Sequence, residues 1–440
     1  MSTQIAAIVG LAVMFIIATL LPINMGALAL VGAFIIGLLA HMPAREIFVG
    51  FPGDLFVTLV GITYLFAIAN NNGTIDWLVQ KAVWLVRGQV VAIPWVMFIV
   101  AAVLTSVGAV SPAAVAIIAP IALRFADKYR LSPLLMGLMV IHGAQAGGFS
   151  PIGIYGVITN QIVERASLPR NDLAIFLASF LFNFAVAALV FLLFRRYRAP
   201  HRKEQIESAI ESDVPLEGSG GTPASFQMRT TENAELESEH SRLDWHRALT
   251  LIGLLVLGVG TLAFELNVGL VAVSVAVVLA LLAPHTQKRA VDQVSWSTVL
   301  LITGVVTYIA VLQKVGTVDL VGNSVSGMGA PLIGALLLCY IAGIVSAFAS
   351  SIAVLGATIP LAVPFLLQGQ VQAVGVVAAI AISTTIVDVS PFSTNGALVV
   401  ANSQGVDKDV FYRQMLMYSG VVVIVGPLLT WLVLILPGWL

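Results

Sequence analysis

The chain has 440 residues, of which 59% are hydrophobic and only 10% charged, and its mean hydropathy is +1.00. No soluble fold hides that much apolar surface, so the composition predicts a polytopic membrane protein. A formal net charge of -1 offers no basic surface for nucleic acid, and one cysteine, Cys339, excludes a disulfide or a thiolate metal site.

Crossing about 30 Å of hydrocarbon takes about 20 apolar residues. The first half carries such spans near 4–22, 25–42 and 54–72. The run from Ile5 to Leu21 ends in no cleavage signature and reads as a retained span. Thr74 to Arg87 sets Asp76, Gln80, Lys81 and Arg87 among apolar residues at helical spacing, which predicts a helix lying in the interface. Residues 93–126 are split at Gly108-Ala109-Val110-Ser111-Pro112 into arms too short for two spans, which predicts a re-entrant hairpin. A span over 132–164 is broken at Ser150-Pro151, and 172–194 closes the first half. Arg195 to Arg247 is polar, rich in Glu, Ser, Gly and Pro, and reads as a disordered linker. The second half repeats the order: spans near 248–265, 267–283 and 296–314, an interfacial piece at 315–327, a hairpin at 331–367, a broken span at 371–404 and a last span at 412–436.

The predicted fold is therefore all-α and polytopic, with two repeats at 1–194 and 248–440 around a linker at 195–247. Each repeat has five spans and one re-entrant hairpin, and its fourth span breaks at a Ser-Pro. The register shows in Ser111 and Pro120 against Ser351 and Pro360, and in Ser150-Pro151 against Ser390-Pro391, all at one offset of 240. Gly73-Thr74-Ile75-Asp76 likewise echoes Gly316-Thr317-Val318-Asp319. An odd number of spans per half turns the second repeat upside down. With the linker in the cytoplasm, 17 of the 21 Lys and Arg residues lie inside and only Arg45, Arg165, Arg170 and Lys314 outside, as the positive-inside rule requires. Both termini then face out of the inner membrane. The hairpins enter from opposite sides, and their tips meet the broken spans near the midplane.

The breaks carry the chemistry. Proline forces the preceding residue out of the α region and suits the first helical position, so Ser150 and Ser390 read as N-caps, with Pro151 and Pro391 opening restarted half-helices. A restarted helix presents unpaired N–H groups and the positive end of its dipole, a site for a carboxylate. Transporters place such discontinuous helices at the bilayer midplane. Ser111, Pro112, Ser150, Pro151, Ser351, Ser390, Pro391, Thr394 and Asn395 are the substrate-binding candidates. Small residues, Gly147 and Gly148 among them, let backbone and ligand approach. No Lys or Arg falls in any break, so an anionic substrate must be met by helix N-termini and co-bound cations. Asp388 is the one acidic residue deep in an apolar segment; it reads as a cation or proton site, with a structural carboxylate as the alternative. His142 and Gln145 read as helix-to-helix hydrogen-bonding residues. No catalytic constellation appears, which leaves a membrane-embedded enzyme or a channel as remote readings, with no cofactor beyond a coupling ion.

The stretches VGITYLFAIANNNGTIDWLVQKAVW, SPAAVAIIAPIAL and HGAQAGGFSPIGIYG resemble the bacterial malonate and dicarboxylate carriers, and the whole chain is similar to the divalent-anion sodium symporters of the ion transporter superfamily. That superfamily has hairpin tips with Ser-Asn-Thr, matched here by Ser111-Pro112-Ala113 and Ser351-Ile352-Ala353, and unwound spans with Thr-Pro, matched by the two Ser-Pro pairs. The resemblance implies carboxylate contact by the hairpin serines and sodium held by the tips and unwound backbone. This names Ser111, Gly147, Gly148, Ser350 and Ser351, beside Asp388, as cation-binding candidates. Asn and Thr are missing from both tips, so the sodium ligands do not transfer from the motif. The resemblance further implies a homodimer, among membrane lipids, that imports a small dicarboxylate by an elevator motion: malonate first, then a four-carbon acid such as succinate. A proton-coupled carrier or antiporter for another organic anion is the alternative.

Overall fold

The computed structural model describes residues 3–21, 23–75, 77–78, 81, 89–195, 244–287, 289–317, 320, 331–348, 350–367, 369, 371–403 and 408–438. Every regular element among them is helical. The first half consists of α1 (Thr3–Leu20), α2 (Met25–Leu39), α3 (Ala44–Val49), α4 (Gly53–Asn71), α5 (Ile93–Ser106), α6 (Ser111–Tyr129), α7 (Pro133–Gly148), α8 (Ile154–Arg165) and α9 (Asp172–Phe194). The second consists of α10 (Trp245–Phe264), α11 (Val268–Leu282), α12 (Trp296–Lys314), α13 (Pro331–Ser346), α14 (Ser351–Leu366), α15 (Ala373–Ile386), α16 (Thr394–Ala401) and α17 (Lys408–Thr430). Six helical segments among the described residues are long and apolar enough to cross a membrane.

Local chemistry sets many of these boundaries. Asn24 and Asn267 stand before α2 and α11 in extended backbone, and their side-chain oxygens accept from Gly26 and Leu270 N–H, so two matched helices start on the same cap. Asn171 caps α9 through Ala174 N–H in the same way. Gly73 and Gly316, one residue past the C-caps of α4 and α12, take φ of 71° and 72°, where a side chain would be strained.

The helices fall within a few residues of the sequence expectations, with three differences. A short helix, α3, and a 3-10 turn at Pro284–Gln287 stand between the second and third spans of the two halves. Trp245 opens α10 inside the stretch read as linker, because Asp244 caps it. The last span starts at Lys408 and closes in a π-helical turn, Trp431–Ile435. Most of the interfacial stretches 74–87 and 315–327, and of the linker 195–247, lie outside the described residues.

Two groups of helices emerge. One holds α1 to α4 with α10 to α12; there α4 packs on α11 and α2 on α12. Because α11 and α12 occupy the sequence places of α2 and α4, the two pairings are reciprocal. The closest approaches are reciprocal too: a Cβ at Gly304 would stand 2.1 Å from the Gly26 carbonyl oxygen, and one at Gly61 would stand 2.8 Å from that of Gly269. The other group holds α5 to α9 with α13 to α17. In it each hairpin's second arm packs on the other half's restarted helix, α6 on α16 and α14 on α8. The main joins between the groups are α12 with α14 and α4 with α8. The second group contains the broken spans, and α7 and α15 are buried along nearly their whole length.

Candidate functional site

Both broken spans are interrupted as the sequence predicts, but the capping differs. The helix does not restart at the Ser-Pro. Ser150, Pro151 and Ile152 form a turn and α8 begins at Ile154 with Gly153 as N-cap; Ser390, Pro391 and Phe392 form the matching turn and α16 begins at Thr394 with Ser393 as N-cap. Thus Ser150 and Ser390 are not N-caps and Pro151 and Pro391 are not first helical residues. The reason is a second close approach: a Cβ at Gly156 or Gly396 would lie 2.0 Å from the Ser150 or Ser390 carbonyl oxygen, so the turn folds down onto the first turn of the new helix. Each serine then serves the turn. The Ser150 hydroxyl donates to the Ser106 carbonyl at 2.5 Å, and Ser390 Oγ accepts from Phe392 N–H at 3.3 Å.

The hairpin tips follow the expectation more closely. Ser111 and Ser351 are the first residues of α6 and α14, with Pro112 in the first turn of α6. Neither α6 nor α14 has a side-chain cap. Their hydroxyls are left for the centre of the molecule.

There they meet. The Ser351 hydroxyl donates to Asp388 Oδ1 at 2.6 Å, and Ser346 Oγ lies 2.8 Å from Ser351 Oγ. Asn395, in the first turn of α16, donates through Nδ2 to Ser111 Oγ at 2.9 Å and to Asp388 Oδ2 at 3.4 Å. The buried phenol of Tyr155, in the first turn of α8, lies near Ser111 and Asp388. One carboxylate therefore sits between the two tips, held by Ser351 and Asn395. Asp388 itself is 6% exposed, in the 3-10 turn Val387–Val389 that ends α15. Asn395 Oδ1 is buried without a hydrogen-bond partner. Donors surround Asp388, yet no group of three or more metal-ligating side chains occurs among the described residues.

Of the predicted residues, the structure gathers Ser111, Ser351, Asp388 and Asn395. Pro391 is buried in its turn, while Thr394 and Ser350 are exposed. Gly147 and Gly148 are used for packing: a Cβ on Gly147 would lie 1.9 Å from the Ala102 carbonyl oxygen, and one on Gly148 would lie 2.7 Å from the Tyr155 ring. His142 Nδ1 and Nε2 lie 3.2 Å from Asn183 Oδ1 and 2.7 Å from the Tyr418 hydroxyl, so it fastens α7 to α9 and α17 as expected. Gln145 differs from the expectation: only its backbone carbonyl joins two helices, accepting from the Ser179 hydroxyl at 3.3 Å, while its side-chain amide is buried without a hydrogen-bond partner.

Sequence reasoning passed over Tyr155 and the serine pair Ser106 and Ser346. The offset of 240 finds all three: Tyr155 stands where Asn395 does, and Ser106 where Ser346 does. An apolar crevice of about 530 Å³ between α7, α9 and α17, lined by Phe182, Val186, Leu193, Met417 and Val421 among others, belongs to the outer surface and offers little polar chemistry.

Residues 1–148 match the family model described as dicarboxylate carrier protein MatC N-terminus, which agrees with the resemblance read from the sequence. No curated protein sequence matches the chain. Among solved structures, the chain is similar to the YdaH transporter of Alcanivorax borkumensis, described as having an unusual topology. The TM-score is 0.56 at 14% identity, over 88% of this chain and 86% of that one. Both relatives are transport proteins and not enzymes, and the second shares the all-helical fold.

Proposed function

We propose that this protein is a secondary active transporter that imports a small dicarboxylate, malonate first and a four-carbon acid such as succinate next. The observation that carries this reading is the meeting of Ser111 and Ser351, the N-terminal residues of two hairpin arms from different halves, around a buried polar cluster that contains no Lys or Arg. Two helix N-termini facing one centre suit two carboxylates, and each contributes only about half a positive charge. A dianion brought there needs cations to travel with it. Sodium is the coupling ion that the dicarboxylate carrier resemblance implies, and a proton-coupled carrier for another organic anion is the second reading. That second reading is favoured by Asp388, a carboxyl at the centre of the cluster.

The reciprocal pairing of helices supports two like halves in inverted orientation, and the fall of 17 of the 21 Lys and Arg residues on the linker's side supports an inner-membrane protein with the linker cytoplasmic and both termini outside. The confinement of the broken spans to one of two helix groups supports an elevator motion of that group against the other, within a homodimer. Uptake of a labelled dicarboxylate panel into proteoliposomes, with and without an inward sodium gradient, tests the proposal. Accumulation of malonate or succinate driven by a cation gradient is expected; no saturable uptake of any dicarboxylate under sodium or proton gradients refutes it.

A further inference from the structure

We propose that the crevice between α9 and α17 is a binding site for an anionic phospholipid: one acyl chain lies along it, and the headgroup phosphate meets a cluster of arginines at its mouth. The inference goes beyond the transport reading and rests only on the chain's place in a membrane.

The crevice is built by helix packing. Helix α9 packs on α7 and α15, and α17 packs on the same two, but α9 and α17 do not pack closely on each other. The gap between them holds about 530 Å³, within the ~300–1,000 Å³ of ordinary ligand pockets. Hydrogen bonds fix its floor, because Tyr418 on α17 is tied through His142 on α7 to Asn183 on α9. Each wall is one helical stripe: Phe182, Val186, Leu189 and Leu193 along α9, and Met417, Val421, Val425 and Leu429 along α17. From Phe182 to Leu193 the α9 stripe runs about 17 Å, close to the hydrocarbon depth of one leaflet. Leu189, Leu193, Met417 and Val421 are exposed. So apolar a wall offers water no partners, and an unfilled gap forfeits the dispersion contacts of its lining, so a hydrocarbon chain is the matching occupant. Ile386, where α15 stops before its broken turn, also lines the crevice, so a bound chain braces the broken span.

What separates a bound lipid from passing ones is the mouth. Ser132 before α7, Phe194 at the end of α9 and Gln414 near the start of α17 all line the crevice, so these three helix ends come together on the linker's side. Each has an exposed arginine within two residues along the chain: Arg130, Arg195 and Arg413. Among the described residues, none of the three takes part in an ion pair. Arg124, Lys128 and Lys408 stand at the same helix ends, and the acids there are Asp127 and Asp409, so positive charge is in excess. Guanidinium groups pair with phosphate oxygens two at a time, and basic clusters between membrane helices suit anionic headgroups. Two other occupants fit less well. The linker is polar and brings no apolar stretch. A second copy packed crevice to crevice would set the same arginines against each other across a two-fold axis.

The test titrates the purified full-length protein in detergent with dioleoyl phosphatidylglycerol or dioleoyl phosphatidylcholine and counts bound lipids by native mass spectrometry. One phosphatidylglycerol is expected to be held at least about tenfold more tightly than phosphatidylcholine. Equal retention of the two overturns the proposal. The triple variant Arg130→Gln, Arg195→Gln, Arg413→Gln should lose the preference, and a preference kept by the folded variant refutes the arginine mouth. Val421→Trp, which puts an indole into the crevice and leaves the arginines in place, should lose phosphatidylglycerol as well. Val186→Trp does the same from the α9 wall and takes its place should Val421→Trp not fold. Undiminished binding in the folded crevice variant would mean that charge alone holds the lipid, and the acyl-chain seat would be wrong. If wild type retains no lipid and Val421→Trp splits a dimer into monomers, a second copy covers this face and the proposal fails. No outcome depends on dicarboxylate uptake, so the transport reading stands or falls separately.

Discussion

Replacing Gly304 by alanine should loosen the contact on which the first helix group is built. The added Cβ would stand 2.1 Å from the Gly26 carbonyl oxygen, and ordinary contact begins at 3.4 Å, so α2 and α12 must part by about 1.3 Å. Both sides of that contact are backbone, which cannot rotate away as a side chain can. A gap of about 0.5–1 Å already forfeits a quarter to a half of each dispersion contact along the seam, and overpacking of this kind costs about 1–3 kcal/mol. Gly26→Ala, whose Cβ would fall 1.9 Å from the Leu300 carbonyl oxygen, should cost at least as much; Gly61→Ala, at 2.8 Å from the Gly269 carbonyl oxygen, should cost less. Gly258→Ala in α10 has nothing within 4 Å and serves as the control, neutral or slightly stabilising. Thermal unfolding in detergent, followed by tryptophan fluorescence, gives the order. Equal midpoints for Gly304→Ala and Gly258→Ala would refute the reasoning.

Across the two halves, Ser111→Ala and Asn395→Ala should each destabilise by about 0.5–1.5 kcal/mol, and the double variant should cost less than their sum, because they share one hydrogen bond. Strict additivity would show that the bond contributes nothing. For the orientation in the membrane, single cysteines at Ser219 and Lys408 in a Cys339→Ser background should react with an impermeant reagent from the cytoplasm, and one at Ser167 from outside. Ser167 and Ser219 labelled from one face would refute the inverted arrangement.

How much the sequence disclosed depends on which physical signal each feature uses. Helix positions were legible because apolar runs of a length set by hydrocarbon thickness stand out, and the two breaks and the first hairpin tip because Ser-Pro disfavours helix continuation; the second tip, Ser350-Ser351-Ile352, was found by the repeat. The restart point was not. Whether Ser390 or Ser393 caps α16 is decided by the fit of the turn against Gly396, a tertiary contact that local preference at proline does not see. Asp388 stood out as a lone acid in an apolar run, but its neighbour Tyr155 lies far off in sequence and looks like ordinary aromatic filling. Only the repeat offset, pursued past the Ser-Pro pairs to Tyr155 and Asn395, would have found it.

The same offset explains why the two halves cannot contribute alike. Asp388 falls opposite Gly148, Asn395 opposite Tyr155, and Ser393 opposite Gly153. Where the second half carries a carboxylate, the first has no side chain, and the Tyr155 ring closes over the space, its Cδ2 only 2.7 Å from where a Gly148 Cβ would be. Where the second half caps its restarted helix, Ser393 Oγ accepting from Gly396 N–H at 3.3 Å, the first leaves Gly153 without a side-chain cap. The first half thus offers an uncapped helix start and a phenol, the second a capped start and a negative charge. On the transport reading, an anion brought between the two tips would meet an uncapped helix start on one side and a carboxylate on the other. Two halves of one architecture are therefore chemically unlike at the place where their tips meet.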